Sequence, residues 1–273
     1  MDIYVALPDS SLIDANTLIE KSRKVAILAR IFAIFRVKKI IIYHDQSYHG
    51  YDGKILKLIL EFMNTPPYLR RLVYKKMPEL AYSGLFEPLN APHHKPYKRL
   101  EDIKEGEVRQ GIIIKKHGLP YAEVGLDQLI PIEGYYKEKG IINFIFTASY
   151  PNLKCRIARS EEIKEYWGYN IIFYNKLSRI MDRFDYVILT SRKGKLASKF
   201  EEEISRVVKD KERIVIVFGS TKHGVREILN MEDYDKPLKY IYNFFPYQGV
   251  ITIRIEEAIL GVLSILNHII DKS

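Results

Sequence analysis

The α/β character of the chain is indicated by residues 3–43, which read IYVALPDSSLIDANTLIEKSRKVAILARIFAIFRVKKIIIY. The apolar runs at 3–7 and 39–43 are typical of short buried strands. Between them, Thr17-Leu-Ile-Glu20 has the spacing of a capping box, and the apolar positions after it recur at helical spacing. Their shared face contains Leu18, Val25, Leu28, Phe32 and Phe35. The segment therefore predicts a strand, a long helix and a second strand.

A second helix is predicted at 53–63, where Ile55, Leu58, Ile59 and Phe62 fall on one face. It has to end before Thr65-Pro66-Pro67, because a proline pair cannot continue a helix. Strands that alternate with helices favour an α/β core with a parallel sheet.

The middle of the chain has a different pattern. Prolines at 88, 92 and 96 precede short β-type runs at 107–115, 119–124 and 141–148, which are separated by glycines at 118, 125, 134 and 140. Short strands joined by glycine turns indicate a small inserted barrel, and a five-stranded OB-type barrel fits the length.

The α/β pattern returns near residue 166. Strands are predicted at 169–174, 186–189, 214–218 and 239–244, and helices at 195–209 and 256–270. We therefore divide the chain into a first α/β part at 1–88, an inserted barrel at 89–160 and a second α/β part at 161–273.

The excess of positive charge is concentrated in the first 160 residues of the chain. Its 273 residues include 43 Lys and Arg against 34 Asp and Glu, a net charge of +9. Residues 1–87 hold 13 basic and 9 acidic side chains, 88–160 hold 12 and 8, and 161–273 hold 18 and 17. An excess of positive charge of this kind favours binding of a polyanion such as RNA. The alternative interpretation is a basic surface that is simply solvated.

Composition also excludes several classes. Cys155 is the single cysteine, so no internal disulfide can form, and we expect a reducing, cytoplasmic location. No run of about 18 uncharged apolar residues predicts a membrane span. The seven histidines lack a metal-ligand spacing, so no metal site is expected.

Three predicted strands run into glycine-bearing loops, at 190–194, 218–224 and 246–250. In an open parallel sheet, ligands bind beyond the carboxyl ends of the strands, and glycine allows a ligand to approach the backbone closely. The alternative interpretation for each loop is that its glycines only form the turn and contact no ligand. The segment 219–224 is not a P-loop, because Gly-Lys-Ser/Thr does not follow the spacer.

Four segments together resemble an RNA methyltransferase family of archaea and eukaryotes within the SPOUT superfamily. They are 29–43, 65–94, Tyr166-Trp-Gly-Tyr169 and 254–258. The resemblance implies a trefoil knot in the C-terminal part of the parallel sheet, an OB-like barrel that interrupts the domain, and a homodimer. It also implies S-adenosylmethionine as cofactor and RNA, in particular ribosomal RNA, as substrate.

The resemblance places the cofactor on backbone of the three loops. The residues implied are Arg192, Gly194, Gly219, Gly224, Asn243, Pro246, Tyr247, Gln248, Gly249 and Thr252. Where the family has a short polar residue between proline and glutamine, this chain has Tyr247. Arg30, on the first long helix, is the candidate catalytic cation, and a solvated or structural arginine is the alternative.

Two further expectations concern partners. For RNA, the barrel offers Lys115, Lys116, Lys137 and Lys139 together with Tyr97, Tyr121, Tyr135 and Tyr136. For the dimer, the last helix is apolar around more of its circumference than one core face requires, at Ile259, Leu260, Val262, Leu263, Ile265, Leu266, Ile269 and Ile270.

The leading hypothesis is an S-adenosylmethionine-dependent RNA methyltransferase. A non-catalytic RNA-binding protein on the same scaffold is the main alternative. An enzyme acting on a protein or a small molecule is a third, and the basic barrel disfavours it.

Overall fold

The computed structural model describes residues 2–134, 137, 139–184, 186–209 and 213–271. Its strands are β1 (Asp2–Pro8), β2 (Lys39–Tyr43), β3 (Val108–Lys116), β4 (Leu119–Glu123), β5 (Ile130–Pro131), β6 (Ile142–Ala148), β7 (Lys154–Ile157), β8 (Asn170–Tyr174), β9 (Val187–Leu196), β10 (Arg213–Val217) and β11 (Ile241–Asn243). Its helices are α1 (Leu18–Ile34), α2 (Asp52–Asn64), α3 (Pro67–Val73), α4 (Ser178–Arg183), α5 (Glu201–Lys209), α6 (Val225–Met231) and α7 (Ile255–Asp271).

The chain forms two compact units. The first contains residues 1–61, 78–87 and 169–273, and the second contains 62–77 and 88–168. The predicted division at 88 and 160 stays a prediction.

A six-stranded parallel sheet organises the first unit, in the order β11-β9-β10-β1-β2-β8. Val5 of β1 pairs with Ile216 of β10 on one side and with Ile40 of β2 on the other. Asp2 and Ile3 at the start of β1 are half-buried, and residues 4–8 are all buried. Because both faces of the sheet are covered, these residues lack the apolar–polar alternation of a half-exposed strand. The predicted α/β class with a parallel sheet is confirmed.

The start of α1 confirms the predicted capping box. The Thr17 hydroxyl accepts from the Glu20 amide at 3.3 Å, and the Glu20 carboxylate accepts from the Thr17 amide at 3.0 Å. The hydrogen bond from the Thr17 amide to the carboxylate lowers the pKa of Glu20. The helix α2 ends before the proline pair as predicted. A new helix, α3, begins at Pro67. Proline is tolerated at the first position of a helix, because the amide hydrogen that it lacks would have no partner within the helix there.

The predicted helix at 195–209 is wrong in its first part. Strand β9 continues to Leu196, and α5 begins only at Glu201. Pairing with β11 explains this, because Tyr242 and Asn243 pair with Lys195 and Leu196 after a shift in register. The short helices α4 and α6 were missed.

The second unit contains a five-stranded antiparallel sheet, ordered β5-β4-β3-β6-β7. The predicted runs correspond to β3, β4 and β6, whereas the two short edge strands β5 and β7 were missed. These edges meet through a bridge between Ile132 and Cys155, where the Glu133 amide donates to the Cys155 carbonyl at 2.7 Å. Apolar side chains fill the interior, among them Ile103, Val124, Ile130, Phe144, Phe146 and Leu153.

A histidine pair, with His93 buried and His94 half-buried, joins separate segments of the second unit. His93 Nε2 and His94 Nε2 lie 2.8 and 3.1 Å from the Asn64 carbonyl, and the His93 ring lies 6.1 Å from that of Trp167. Desolvation lowers the pKa of His93 to about 4 and that of His94 to about 3. Both imidazoles are therefore neutral donors to one carbonyl at neutral pH.

Acid should destabilise this unit before its carboxylates titrate. In the unfolded chain a histidine titrates near ~6.5, so the unfolded state binds more protons than the folded state below that pH. Above about pH 6.5 the two neutral histidines make their full contribution to the free energy of unfolding. As the pH drops toward 4, that free energy falls by up to ~1.4 kcal/mol per pH unit for each histidine. Denaturant unfolding, followed by the fluorescence of Trp167, measures this slope between pH 7 and 5. His94→Gln should flatten it, and an equal slope in the variant would contradict the account.

Candidate functional site

A cleft of the first unit lies at the carboxyl ends of three adjacent parallel strands, β9, β10 and β11. It has a volume of about 590 Å³. Residues 190–193 after the first half of β9, most of 218–224 after β10, and residues around 242–253 at β11 line it. The structure thus brings together the three loops that the sequence singled out.

Six of the ten predicted cofactor residues line the cleft. They are Arg192, Gly219, Gly224, Asn243, Gln248 and Thr252. Gly194, Pro246, Tyr247 and Gly249 do not line it, and the Tyr247 side chain is 95% exposed.

Two of these glycines are required by the packing of the protein itself. A Cβ on Gly194 would lie 2.6 Å from the Tyr242 carbonyl carbon and 2.9 Å from the Asn243 amide nitrogen, so glycine lets β11 approach β9. A Cβ on Gly219 would lie 2.9 Å from the His223 carbonyl oxygen, within the same loop. The sequence predicted that glycine at these positions leaves space for a ligand. The atoms closest to an added Cβ at Gly194 and Gly219 instead belong to the protein itself.

Asn243 holds two walls of the cleft together. Its Nδ2 donates to the Arg192 carbonyl at 3.0 Å, and its Oδ1 accepts from the Phe245 amide at 2.8 Å. Arg192 in turn donates to the Ile251 carbonyl at 3.2 Å. The cleft walls are therefore fixed by hydrogen bonds within the chain, with Asn243 only 9% exposed.

The cleft combines a polar, cationic rim with an apolar floor. Arg192, Lys193, Lys222 and Arg226 contribute positive charge, while the Glu227 carboxylate accepts from the Gly224 amide at 2.9 Å. Phe244, Ile255, Ala258 and Val262 supply the apolar surface. Burial and the neighbouring Glu203 carboxylate raise the pKa of Tyr242, which stays a neutral donor to Glu203. A ligand with an apolar ring and charged ends fits these surroundings.

A polar cluster that the sequence analysis missed lies at the carboxyl ends of β1 and β2. His44 Nδ1 lies 2.6 Å from Asp9 Oδ2, and Asp9 Oδ1 accepts from the Asp45 amide at 3.0 Å. Buried Asp45 accepts from the Ser10 hydroxyl at 2.7 Å. The signal was present in the sequence, since Asp9 and His44-Asp45 each follow a predicted strand, and the two strands are parallel neighbours.

This cluster is bonded to the loop after β10, which forms part of the cleft. The Tyr43 hydroxyl donates to the Phe218 carbonyl at 2.6 Å. Burial acts to raise the pKa of Asp45, but hydrogen bonds from Ser47, Ser10 and Ser220 outweigh it and hold that pKa below its usual range. The cluster and the cleft therefore share the segment 218–220.

The other predicted site residues lie elsewhere. Half-buried Arg30 lies on α1 and is not among the residues that line the cleft. In the second unit, Lys115, Lys137 and Lys139 line a groove of about 590 Å³ whose walls are otherwise mostly apolar. Lys116 is exposed at the end of β3. Tyr97 is exposed, Tyr121 is half-buried, and Tyr135 and Tyr136 lie outside the described residues.

Two classes of site were also searched in the described part of the chain. No group of three or more His, Cys, Asp or Glu side chains there is arranged to hold a metal ion. None of the helices in that part of the chain has both the length and the hydrophobicity that a membrane span requires.

Comparison with known proteins identifies relatives along nearly the whole chain. A family model described as "Putative RNA methyltransferase" matches residues 2–266. A Drosophila melanogaster protein named 28S rRNA (uridine-N(3))-methyltransferase is 27% identical over 97% of this chain and 62% of its own length. A human protein of the same name is 26% identical over 97% and 77%, and an uncharacterised Halobacterium salinarum protein is 25% identical over 96% and 97%. The chain thus spans 62% of the length of the fly relative.

Proposed function

The chain belongs to the RNA methyltransferase family that matches it over residues 2–266, and we propose that it methylates ribosomal RNA with S-adenosylmethionine as the methyl donor. The single observation that carries the proposal is the cleft where the ends of β9, β10 and β11 meet. The names of the fly and human relatives support N3 of a uridine in large-subunit rRNA as the acceptor atom.

The residues of the cleft fit this cofactor. Its apolar floor suits an adenine ring, and the backbone groups beside Gly219 and Asn243 suit the polar edges of a nucleoside. The rim is cationic except for Glu227, whose carboxylate can accept a hydrogen bond from the amino group of the cofactor. The cofactor supplies an electrophilic methyl carbon, while the protein holds donor and acceptor in line.

Removal of the Asn243 side chain should weaken cofactor binding. Asn243→Ala loses the hydrogen bonds to Arg192 and Phe245 that fix the cleft walls, so we expect at least a roughly tenfold rise in the Kd for S-adenosylmethionine. Isothermal titration calorimetry measures it. Asn16→Ala, at an exposed asparagine outside the cleft, is the matched control. Unchanged affinity in Asn243→Ala would place the cofactor elsewhere.

We further propose that the C-terminal part of the parallel sheet has the SPOUT trefoil knot and that the second unit is an OB-like barrel. The contact of the first loop with residues after β11 supports the first proposal. The meeting of the edge strands β5 and β7 supports the second. A cytoplasmic location agrees with the buried, unpaired thiol of Cys155.

A homodimer is proposed from the apolar surface of α1 and α7. Within one chain α7 buries Ile259, Val262, Leu263, Leu266 and Ile269, so much of its apolar circumference is covered internally. Leu260 of α7 stays 44% exposed, and Ile27 and Ile34 of α1 stay 49% and 60% exposed. A second chain would cover these side chains, and Arg30 lies on the same helix as two of them.

Light scattering at micromolar concentration should give the mass of a dimer. Leu260→Glu should shift it to the monomer, because a buried unpaired carboxylate opposes association. Leu119→Glu, at a comparably exposed leucine of the other unit, should stay dimeric. A wild-type monomer would contradict the proposal.

The second unit is proposed to bind RNA through Lys115, Lys116, Lys137 and Lys139. Three of them line one groove beside apolar side chains that can contact bases, and each cation near a phosphate releases counterion.

Reversal of the four lysines to glutamate should lower RNA affinity by at least about tenfold at low salt and flatten its salt dependence. Fluorescence anisotropy with a labelled rRNA fragment measures both quantities. The control for net charge reverses four exposed lysines of the same unit that do not line the groove, Lys75, Lys76, Lys104 and Lys164, to glutamate. Equal affinity in the fourfold variant and the wild type would assign the unit another role.

A non-catalytic RNA-binding protein is the competing function. It would bind the fragment without transferring label from radioactive S-adenosylmethionine.

A further inference from the structure

The pair formed by Asp9 and His44 has the arrangement of a general base and its orienting carboxylate. The Nδ1–Oδ2 distance is 2.6 Å, and the second oxygen of Asp9 is held by the Asp45 amide at 3.0 Å. The Asp9 side chain is 16% exposed, whereas that of His44 is 45% exposed. The carboxylate is thus fixed, and the ring extends toward solvent.

This contact sets the tautomer of His44. An ionised carboxylate only accepts hydrogen bonds, so the proton of a neutral imidazole lies on Nδ1, the nitrogen beside Asp9. The Nε2 lone pair is then left at the outer side of the ring, where an incoming molecule can reach it.

The pair lies on the same edge of the sheet as the cleft. Both are at carboxyl ends of parallel strands, and β2 is separated from β10 by β1 alone. Two strand spacings are about 10 Å, a distance that one histidine side chain and one pyrimidine ring together span. The hydrogen bond from the Tyr43 hydroxyl to the Phe218 carbonyl connects the end of β2 to the cleft loop.

We propose that His44, oriented by Asp9, is the general base that removes the N3 proton of the acceptor uracil; this inference rests on the proposed function. Uracil N3 bears a proton at neutral pH and has no available lone pair in the ring plane until that proton leaves. A base within reach is therefore required for methylation at this atom.

The step balances without a further reactant. His44 Nε2 takes the N3 proton, and the electron pair of N3 forms the new bond to the methyl carbon. The bond from that carbon to the sulfonium sulfur breaks, and its electron pair stays on sulfur. Asp9 stabilises the imidazolium, which then releases its proton to solvent through its exposed edge.

The test uses the full-length protein, S-adenosylmethionine and large-subunit rRNA transcripts of the source organism that contain either uridine or 5-fluorouridine. Fluorine makes N3–H more acidic, so the fluorinated base depends less on a protein base. The variants are His44→Gln and Asp9→Asn, and His49→Gln, at an exposed histidine of the same loop, is the control.

His44→Gln should lower kcat on the uridine transcript by about 10²- to 10⁴-fold, with little change in the KM for RNA or the Kd for the cofactor. The deficit should be clearly smaller on the 5-fluorouridine transcript. Asp9→Asn should show the same pattern with a smaller loss, and it decides the question if His44→Gln does not fold. His49→Gln should match the wild type.

A kcat within a few-fold of wild type in His44→Gln, or an equal deficit on both transcripts, would overturn the assignment while leaving the methyltransferase intact. Absence of any transfer by the wild-type protein would instead overturn the proposed function and this inference with it.

Discussion

The pairing of β11 with β9 is the constraint on which the candidate site depends. The register shifts so that Ile241 pairs with Leu189 and Tyr242 with Lys195, which displaces residues 190–194 from the ladder. Gly194 permits the approach, because any side chain there would collide with the backbone of β11. Without this pairing, the displaced segment and the residues after β11 would not face each other across a cleft.

The central position of β1 connects that cleft to the polar cluster. Because β1 lies between β10 and β2, the ends of all three strands are neighbours at one sheet edge. The cofactor-sized cleft lies at β9, β10 and β11, and the Asp9–His44 pair lies at β1 and β2. A two-substrate reaction needs such adjacent sites, one for the donor and one for the acceptor.

Local rules predicted the first part of the fold well. Capping at Thr17 and the proline stop after α2 depend on neighbouring residues, and both are observed. The extension of β9 to Leu196 could not be predicted, because it depends on β11, about 50 residues away. The edge strands β5 and β7 are too short to show a periodicity. The three loops of the site were predicted from strand ends and glycines. The Asp9–His44 pair could not be predicted in this way, because recognising it requires knowing that β1 and β2 are neighbours in the sheet.

A crystal structure with S-adenosylhomocysteine, the product form of the proposed cofactor, is the most direct test of the account. We expect its density between residues 190–193, 218–224 and 242–253, with the sulfur directed toward the end of β1. Density at any other part of the chain, or an empty cleft at saturating ligand, would contradict it.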